Sequence, residues 1–325
     1  MKKTNRETLI NSYWAGAECW LDPGPPRIFT PAGIETFVAV AGSGNVPPNP
    51  FRRGPSGVIV VNETPYLIDA GEGVWRSLIN VATAHDGILA NALVPERLTR
   101  LFLTHMHSDH TAGLPSLMLF PWAQGKSDPL EVHGPIGTER MFAGLQEAYH
   151  ADLHERLYGP EAEVKNSTGW QTVVHEIPEP GLVYEDDNIK VEAFHHPHGS
   201  FAQNFGYRFT THDRVIVWAG DGQVSEGFIE AAKDADLLFS ELHTLETIPN
   251  AIWGGDTVEE KERVIWSYHI KPVELAELAT AAKVKKLVLY HECGYSEPFD
   301  HEALLEELKR YYKGEVISSR DADVF

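Results

Sequence analysis

The sequence is poor in cysteine, in basic residues and in uninterrupted apolar runs. Its two cysteines, Cys19 and Cys293, exclude a disulfide framework and are too few for a structural zinc ribbon. No apolar run is long enough to span a bilayer. The opening MKKTNRETLINSYWAGAECW starts with basic residues but has no continuous apolar core, so it does not read as a signal peptide, and a cytoplasmic location is expected. Lysine and arginine number 27 against 47 aspartates and glutamates, giving a net charge of −20. Broad nucleic-acid binding is therefore not expected, because it needs basic surface to replace phosphate counterions. A phosphate-bearing substrate is still compatible with this charge: fields are largely screened beyond about 8 Å, and a bound metal reverses the local sign. Repeats and low-complexity blocks are also missing. A chain of 325 residues has room for one large core or two modest domains, and 42% apolar with 23% charged residues is globular composition, not that of a disordered chain.

The chain does have 16 histidines, on a background of alternating β-type and helix-type segments. Residues 1–34, punctuated by Pro23, Pro25, Pro26 and Pro31, read as an extended N-terminal arm. The arm and its aromatics Trp14 and Trp20 suit either a homodimer contact or a fold-back onto the same subunit. From 35 to 325 the pattern reads as one domain. ETFVAVAG is a strand, and SGVIVV with PYLIDAG forms a hairpin. GVWRSLINVATA is helical, RLTRLFLTH a strand, TAGLPSLMLFPW a helix despite Pro115, LEVHG a strand and TERMFAGLQEAYHADLHERL one long helix. TVVHEI, LVYEDD, IKVEAFHH, FGYRFTT and RVIVWAGDG read as antiparallel strands. EGFIEAAKDA, PVELAELATAAKV and HEALLEELKRYYKG are helices, alternating with the strands DLLFSELHT and KKLVLYHE. Sheet-rich halves carrying helices predict an α+β sandwich of two sheets with helices outside. Residues 245–268 fit no strand and read as an inserted loop or lid, in which Trp253 and Trp266 would stack on an aromatic substrate group or pack the lid down.

The strongest chemical signal is THMHSDHTAG, residues 104–113. His105 and His107 stand two apart at a strand end and so project to one side. Asp109 and His110 follow in the turn before a helix. Two imidazoles can thus serve one metal while a carboxylate and a third imidazole serve a second. Later strand ends add Asp221 in VIVWAGDG, otherwise an ordinary Asp-Gly turn, and His291 in LVLYHECG, otherwise a satisfied strand-end histidine. The stretch AFHHPHGSF offers His195, His196 and His198.

HMHSDH resembles the HxHxDH signature of the metallo-β-lactamase superfamily, and PYLIDAGEG, with Asp69, resembles its first motif. The resemblance extends from about residue 35 onward and implies a four-layer αββα sandwich with a binuclear metal site at one sheet edge. It implies that His105, His107 and His198 hold one ion, that Asp109, His110 and His291 hold the other, and that Asp221 bridges them. Zinc suits these donors, and ligand type alone also admits manganese or iron. HGSFAQNFGYRF, SYHIKPVELAELA and FSELHT are similar to segments of ribonuclease Z-like proteins. There His269 would act as proton donor or clamp the transition state, with Glu241 fixing its tautomer, and Asp109 would orient the attacking water. His269 also reads as a helix-opening residue packed under a loop. His198 is the preferred third imidazole because it precedes Gly199 and stands seven residues before Phe205. His196, followed by Pro197, is the competitor, and His195 alternates away from the strand face of His196.

One departure narrows the substrate. Ribonuclease Z proteins carry a long arm that clamps transfer RNA between the HG segment and the bridging aspartate, whereas here residues 199–220, 22 in all, leave room for one hairpin. Arg52 and Arg53 offer either a small anion site or solvated surface. The expected activity is a binuclear metal-dependent phosphodiesterase acting on a small-molecule or short phosphodiester substrate. The alternatives are β-lactam hydrolysis on a ribonuclease Z-like scaffold, an arylsulfatase- or lactonase-type hydrolase, and a metal-binding regulator without turnover.

Overall fold

The computed structural model describes residues 24–46, 49, 51–244, 248, 254–292 and 301–325. Cys19, Cys293, Trp14, Trp20 and Trp253, and most of the expected arm, lie outside them. Fourteen strands are described: β1 (Thr36–Gly42), β2 (Ser56–Val61), β3 (Thr64–Ile68), β4 (Arg100–Phe102), β5 (Leu130–Pro135), β6 (Thr172–Ile177), β7 (Gly181–Glu185), β8 (Ile189–His195), β9 (Phe205–Thr211), β10 (Val215–Trp218), β11 (Leu237–Ser240), β12 (Lys286–Leu289), β13 (Glu315–Ser318) and β14 (Asp323–Val324). They form two seven-stranded sheets, β14-β1-β2-β3-β4-β5-β6 and β13-β12-β11-β10-β9-β8-β7. Helices α1 (Val74–Thr83), α2 (Ser108–Thr111), α3 (Leu114–Ala123), α4 (Thr138–Ala148) and α5 (His150–Tyr158) fall between strands of the first sheet, and α6 (Glu226–Ala232), α7 (Val258–Tyr268), α8 (Pro272–Ala281) and α9 (His301–Tyr311) between strands of the second.

The period-2 alternation of β1 builds the layers. Val38 and Val40 face the second sheet, joining Phe102, Tyr207, Trp218 and Phe239 between the sheets. Ala39 and Ala41 point the other way, into a core closed by Leu78 of α1, Leu117 of α3 and Phe142 of α4. A third core packs Val217 and Leu238 against Phe228, Leu275 and Leu308 from α6, α8 and α9. The result is the αββα sandwich expected from the sequence. No described helix is long and apolar enough to cross a membrane.

Three local expectations are corrected. TVVHEI is β6, which runs parallel to β5 at the edge of the first sheet and does not belong to the antiparallel run β7–β10 of the second one. The expected single helix 138–157 breaks at Tyr149, whose φ of −101° and ψ of 13° separate α4 from α5. Within the segment expected to be loop, α7 is started by a capping box: Thr257 accepts from the Glu260 amide, and the Glu260 carboxylate accepts from Thr257. Two strands after Gly314 were not anticipated. The shorter, β14, is tied to residues 27–29, because Asp323 accepts from Arg27 and the Phe29 amide donates to Val324.

Parallel pairing aligns the strand ends that matter. Ile68 lies opposite Phe102, and Trp218, Phe239 and Val288 are in register across β10, β11 and β12. The residues just beyond these positions, Asp69, Thr104 to His110, Asp221, Glu241 and His291, therefore gather at one edge of the sandwich.

Candidate metal centre

The sandwich edge brings together seven of the residues singled out by the sequence. His105 Nε2 and His198 Nε2 each lie 3.0 Å from His107 Nδ1. The other nitrogens of two of these rings are committed: His198 Nδ1 donates to the Tyr268 carbonyl at 2.7 Å, and His105 Nδ1 meets Thr104 Oγ1 at 3.0 Å. Thr104 Oγ1 in turn donates to Asp69. Both Nε2 lone pairs are thereby turned toward His107 Nδ1, where one proton at most can serve two acceptors. A tetrahedral ion with bonds of about 2.0–2.1 Å would hold such nitrogens about 3.3 Å apart and satisfy all three.

A second donor set adjoins the first, with the His105 and His110 ring centroids 4.2 Å apart. His291 Nε2 lies 3.1 Å from both Asp109 Oδ2 and Asp221 Oδ2. His110 Nε2 stands 3.4 Å from Asp221 Oδ1, and each of these buried atoms lacks a hydrogen-bond partner. His110 Nδ1 donates to Asp69 Oδ2 at 2.8 Å, so its Nε2 too faces the site. Groups of three donor atoms lie within 4.8 Å of one another in His105–His107–His198, His105–His110–Asp221 and Asp109–His110–His291. Buried atoms without partners, aimed at a shared space by second-layer contacts, fit a pair of metal ions.

The two sets differ electrically. Burial lowers His105, His107 and His198, the last to about 4, leaving neutral imidazoles. Burial opposes the charged form of His110 and His291 as well, but Asp221 and Asp109 outweigh it and raise both. Burial likewise opposes the charged forms of Asp109 and Asp221, and His110 and His291 bring both below the ordinary carboxylate range, Asp109 to about 2. The protons on His110 and His291 occupy the place a cation would take.

Backbone strain is concentrated here. Asp69 and His291 adopt φ of 54° and 52°, left-handed values that L residues pay about 1–2 kcal/mol to hold. Gly222, at φ 148°, passes so close to the His196–Pro197 turn that a Cβ would meet Pro197 O at 2.6 Å. Gly222→Ala is expected to lower the stability of the metal-free protein by roughly 1–3 kcal/mol, measured by urea unfolding.

His196 is buried, but beneath Gly222 and against Phe228 at 4.7 Å; the geometry brings His198, not His196, to His105 and His107. His195 is exposed. Burial lowers His196 to about 4, so the unfolded chain takes up this proton near pH 6.5 and the folded one only near pH 4. Stability of the metal-free protein should thus rise with pH across that window. His196→Gln should make the rise shallower by one proton, about 1.4 kcal/mol per pH unit, in unfolding curves taken from pH 4 to 6.5.

Beside this set lies the His269–Glu241 pair. His269 Nδ1 donates to Glu241 Oε2 at 2.6 Å, and its ring centroid is 5.5 Å from that of His198. Glu241 Oε1 accepts from the Gly222 amide, which ties the pair to the Asp221 loop. Although burial opposes it, the positive field of His269 holds Glu241 below the ordinary carboxylate range. Sequence reasoning missed His243. Its ring stacks on His269 at 3.8 Å, and its Nε2 sits 3.1 Å from the same Glu241 oxygen. The signal was present in the sequence, where DLLFSELHT reads as one strand and a residue two beyond Glu241 would share its face, although β11 itself ends at Ser240. Phe201, 4.7 Å from the His107 ring, is a second addition. Of the two tryptophans noted in 245–268, Trp266 lies under the Lys271 ammonium at 6.0 Å. Arg52 forms no open anion site: it donates to Ser43 and to the Ser319 carbonyl, and lies 3.6 Å from Glu292.

Comparison with known proteins gives the same picture. The family model described as the beta-lactamase superfamily domain matches residues 64–291. Ribonuclease Z of Mycobacterium sp. (strain KMS) is 30% identical over 263 residues, covering 78% of this chain and 83% of that protein. Human tRNase Z, short form, superposes with a TM-score of 0.63 at 24% identity, covering 89% of this chain and 98% of the other. The metallo-beta-lactamase fold protein YhfI from Bacillus subtilis gives 0.64 at 18% identity with the same coverage. Donor sets at aligned strand ends, the αββα layers and this relatedness lead to one conclusion: the chain belongs to the beta-lactamase superfamily, in its ribonuclease Z-like branch, and is a metal-dependent hydrolase.

Proposed function

We propose that the protein is a phosphodiesterase that holds two divalent ions, best suited by its donors to zinc, with manganese or iron admitted by the same chemistry. The observation that carries this reading is the placement of Asp221, which faces His110 and His291 and also groups within 4.8 Å with His105 of the first donor set, while the His269–Glu241 pair stands beside His198. His105, His107 and His198 would hold one ion, Asp109, His110 and His291 the other, with Asp221 shared. When bound, such a pair supplies a water acidified toward about pH 7 and Lewis-acid stabilisation of developing negative charge.

The protein's own residues do the rest. Asp109 accepts a hydrogen bond from the attacking water and orients it. His269, its Nδ1 fixed by Glu241, presents Nε2 to the leaving oxygen and donates the proton that departing group needs. His243 packs under His269 and restricts the ring to that orientation. Phosphodiester chemistry is supported by the ribonuclease Z relatives. The absence of an arm in residues 199–220, which the β9–β10 hairpin fills, together with the charge of −20, favours small or short diesters in the cytoplasm over transfer RNA.

The test is hydrolysis of bis(p-nitrophenyl) phosphate and of a short RNA by the zinc-loaded protein. Turnover that is lost on chelation and in His105→Ala is expected. A loaded protein inert toward every phosphodiester, yet opening nitrocefin, would assign the site to β-lactam hydrolysis. Chelation should also lower the melting temperature, because an ion present at 100 times its Kd adds about 2.7 kcal/mol to the folded state.

A further inference from the structure

Away from the site just described, a second group of metal-type donors lies where β5 meets the edge strand β6. His133 and His175 are direct cross-strand partners, and Glu131 precedes His133 by two residues, so all three side chains leave the same face of the sheet. Glu131 Oε1 lies 3.1 Å from His175 Nε2 and 3.5 Å from His133 Nε2. The three donor atoms are within 4.8 Å of one another. Phe102, His133 and His175 form a stacked ladder across β4, β5 and β6, with centroids 5.0 and 4.7 Å apart and planes inclined by 15° at each step.

His133 is the unusual member. Only 3% of it is exposed, yet neither of its ring nitrogens has a hydrogen-bond partner. An imidazole buried in that condition forfeits both of its polar contacts, which folded proteins rarely leave unmade. Its Nε2 is directed at the Glu131 carboxylate, which His175 also faces. Ring packing explains why these residues are flat against one another. It does not explain why two imidazoles converge on one carboxylate oxygen with the inner one unpaired.

We propose that Glu131, His133 and His175 bind one divalent transition-metal ion of the zinc type. A donor set of two imidazoles and one carboxylate, with remaining positions open to water, is a recurrent one for such ions. Bonds of about 2.0–2.2 Å to a common ion place donor atoms about 3.3 Å apart, between the two observed oxygen–nitrogen distances. Arg100, the cross-strand partner of Glu131 on β4, is engaged elsewhere: its Nε donates to Tyr184 Oη at 2.6 Å, and Tyr184 in turn donates to Asp186. The ion would clamp β6, a strand with a neighbour on one side, to β5. It is independent of the hydrolytic centre and of the function proposed for it.

Zinc uptake by the full chain, measured by equilibrium dialysis and elemental analysis, tests this. His175 is half-exposed and Glu131 one-third exposed, so His175→Ala and Glu131→Gln leave the core intact. Each variant is expected to bind one zinc fewer than the unaltered protein, while bis(p-nitrophenyl) phosphate hydrolysis is unchanged. In a second arm, cobalt(II) titrated into His105→Ala/Asp221→Asn protein should give a visible d–d band that falls by one equivalent when His175→Ala is added. Equal zinc stoichiometry in the unaltered protein and both variants would overturn the proposal, as would a cobalt band indifferent to His175.

Discussion

Asp221→Asn is expected to cut phosphodiester hydrolysis by about 10²–10³-fold, the loss typical when one main electrostatic contact to the reacting groups is removed, and to reduce the metal bound at this centre, counted in the His175→Ala background, from two equivalents to one or fewer. The substitution keeps shape and volume, so the effect isolates charge. Asp221 is buried and faces His110 at 3.4 Å and His291 at 3.1 Å, through separate oxygens. It also groups within 4.8 Å with His105 and His110, one from each donor set. An asparagine offers one carbonyl oxygen to one side and an amide to the other, which repels a cation. The metal-free protein should respond as well: without the carboxylate, His110 and His291 lose the partner that most favours their charged forms, and breaking such a buried pair costs about 3–5 kcal/mol. Elemental analysis, kinetics and urea unfolding of one preparation check all three consequences. Two equivalents of metal retained by Asp221→Asn in the His175→Ala background would remove Asp221 from the shared position.

Much of this centre was legible because its residues are clustered in the chain. His105, His107, Asp109 and His110 lie within six positions, where strand alternation and one turn suffice to aim them. Asp221 and His291 could be noticed as strand-end residues, but only the register of β10, β11 and β12 brings them to the same edge. His243 was legible in principle from its spacing to Glu241, yet stacking on His269 is a long-range contact that no local pattern announces. Strand partners were the weakest part of the reading. TVVHEI alternates like any half-buried strand, and alternation does not say which sheet receives it. The helical crossover α4–α5 ahead of it was the overlooked clue, since antiparallel neighbours need only a short turn. The break at Tyr149 has no proline or glycine to signal it. The start of α7, by contrast, is signalled by Thr257 and Glu260 at capping-box spacing, a signal independent of the strand pattern that the segment lacks.

His269→Ala is expected to lower kcat by about 10²–10⁴-fold, the range for a general acid, with metal content unchanged. The size of the loss should depend on the leaving group. An alkoxide or ribose oxygen departs poorly without a proton, whereas p-nitrophenolate carries its charge in the ring, so the deficit should be largest for a short RNA and smallest for bis(p-nitrophenyl) phosphate. That gradient separates proton donation from simple electrostatic clamping, which would penalise both substrates alike. Glu241→Gln should fall between wild type and His269→Ala, losing about 10–100-fold as groups that orient a catalytic imidazole do. A glutamine amide can still meet His269 Nδ1, but it can accept through one atom only, and Glu241 uses two oxygens here: Oε2 for His269, with His243 close by, and Oε1 for the Gly222 amide. The Gln variant must abandon one of these, and the Gly222 contact is the one that positions Asp221. A Glu241→Gln protein that keeps full activity on RNA while His269→Ala is inactive would show that His269 acts without this support. A His269→Ala protein equally impaired on both substrates would assign the imidazole to charge stabilisation instead of proton transfer.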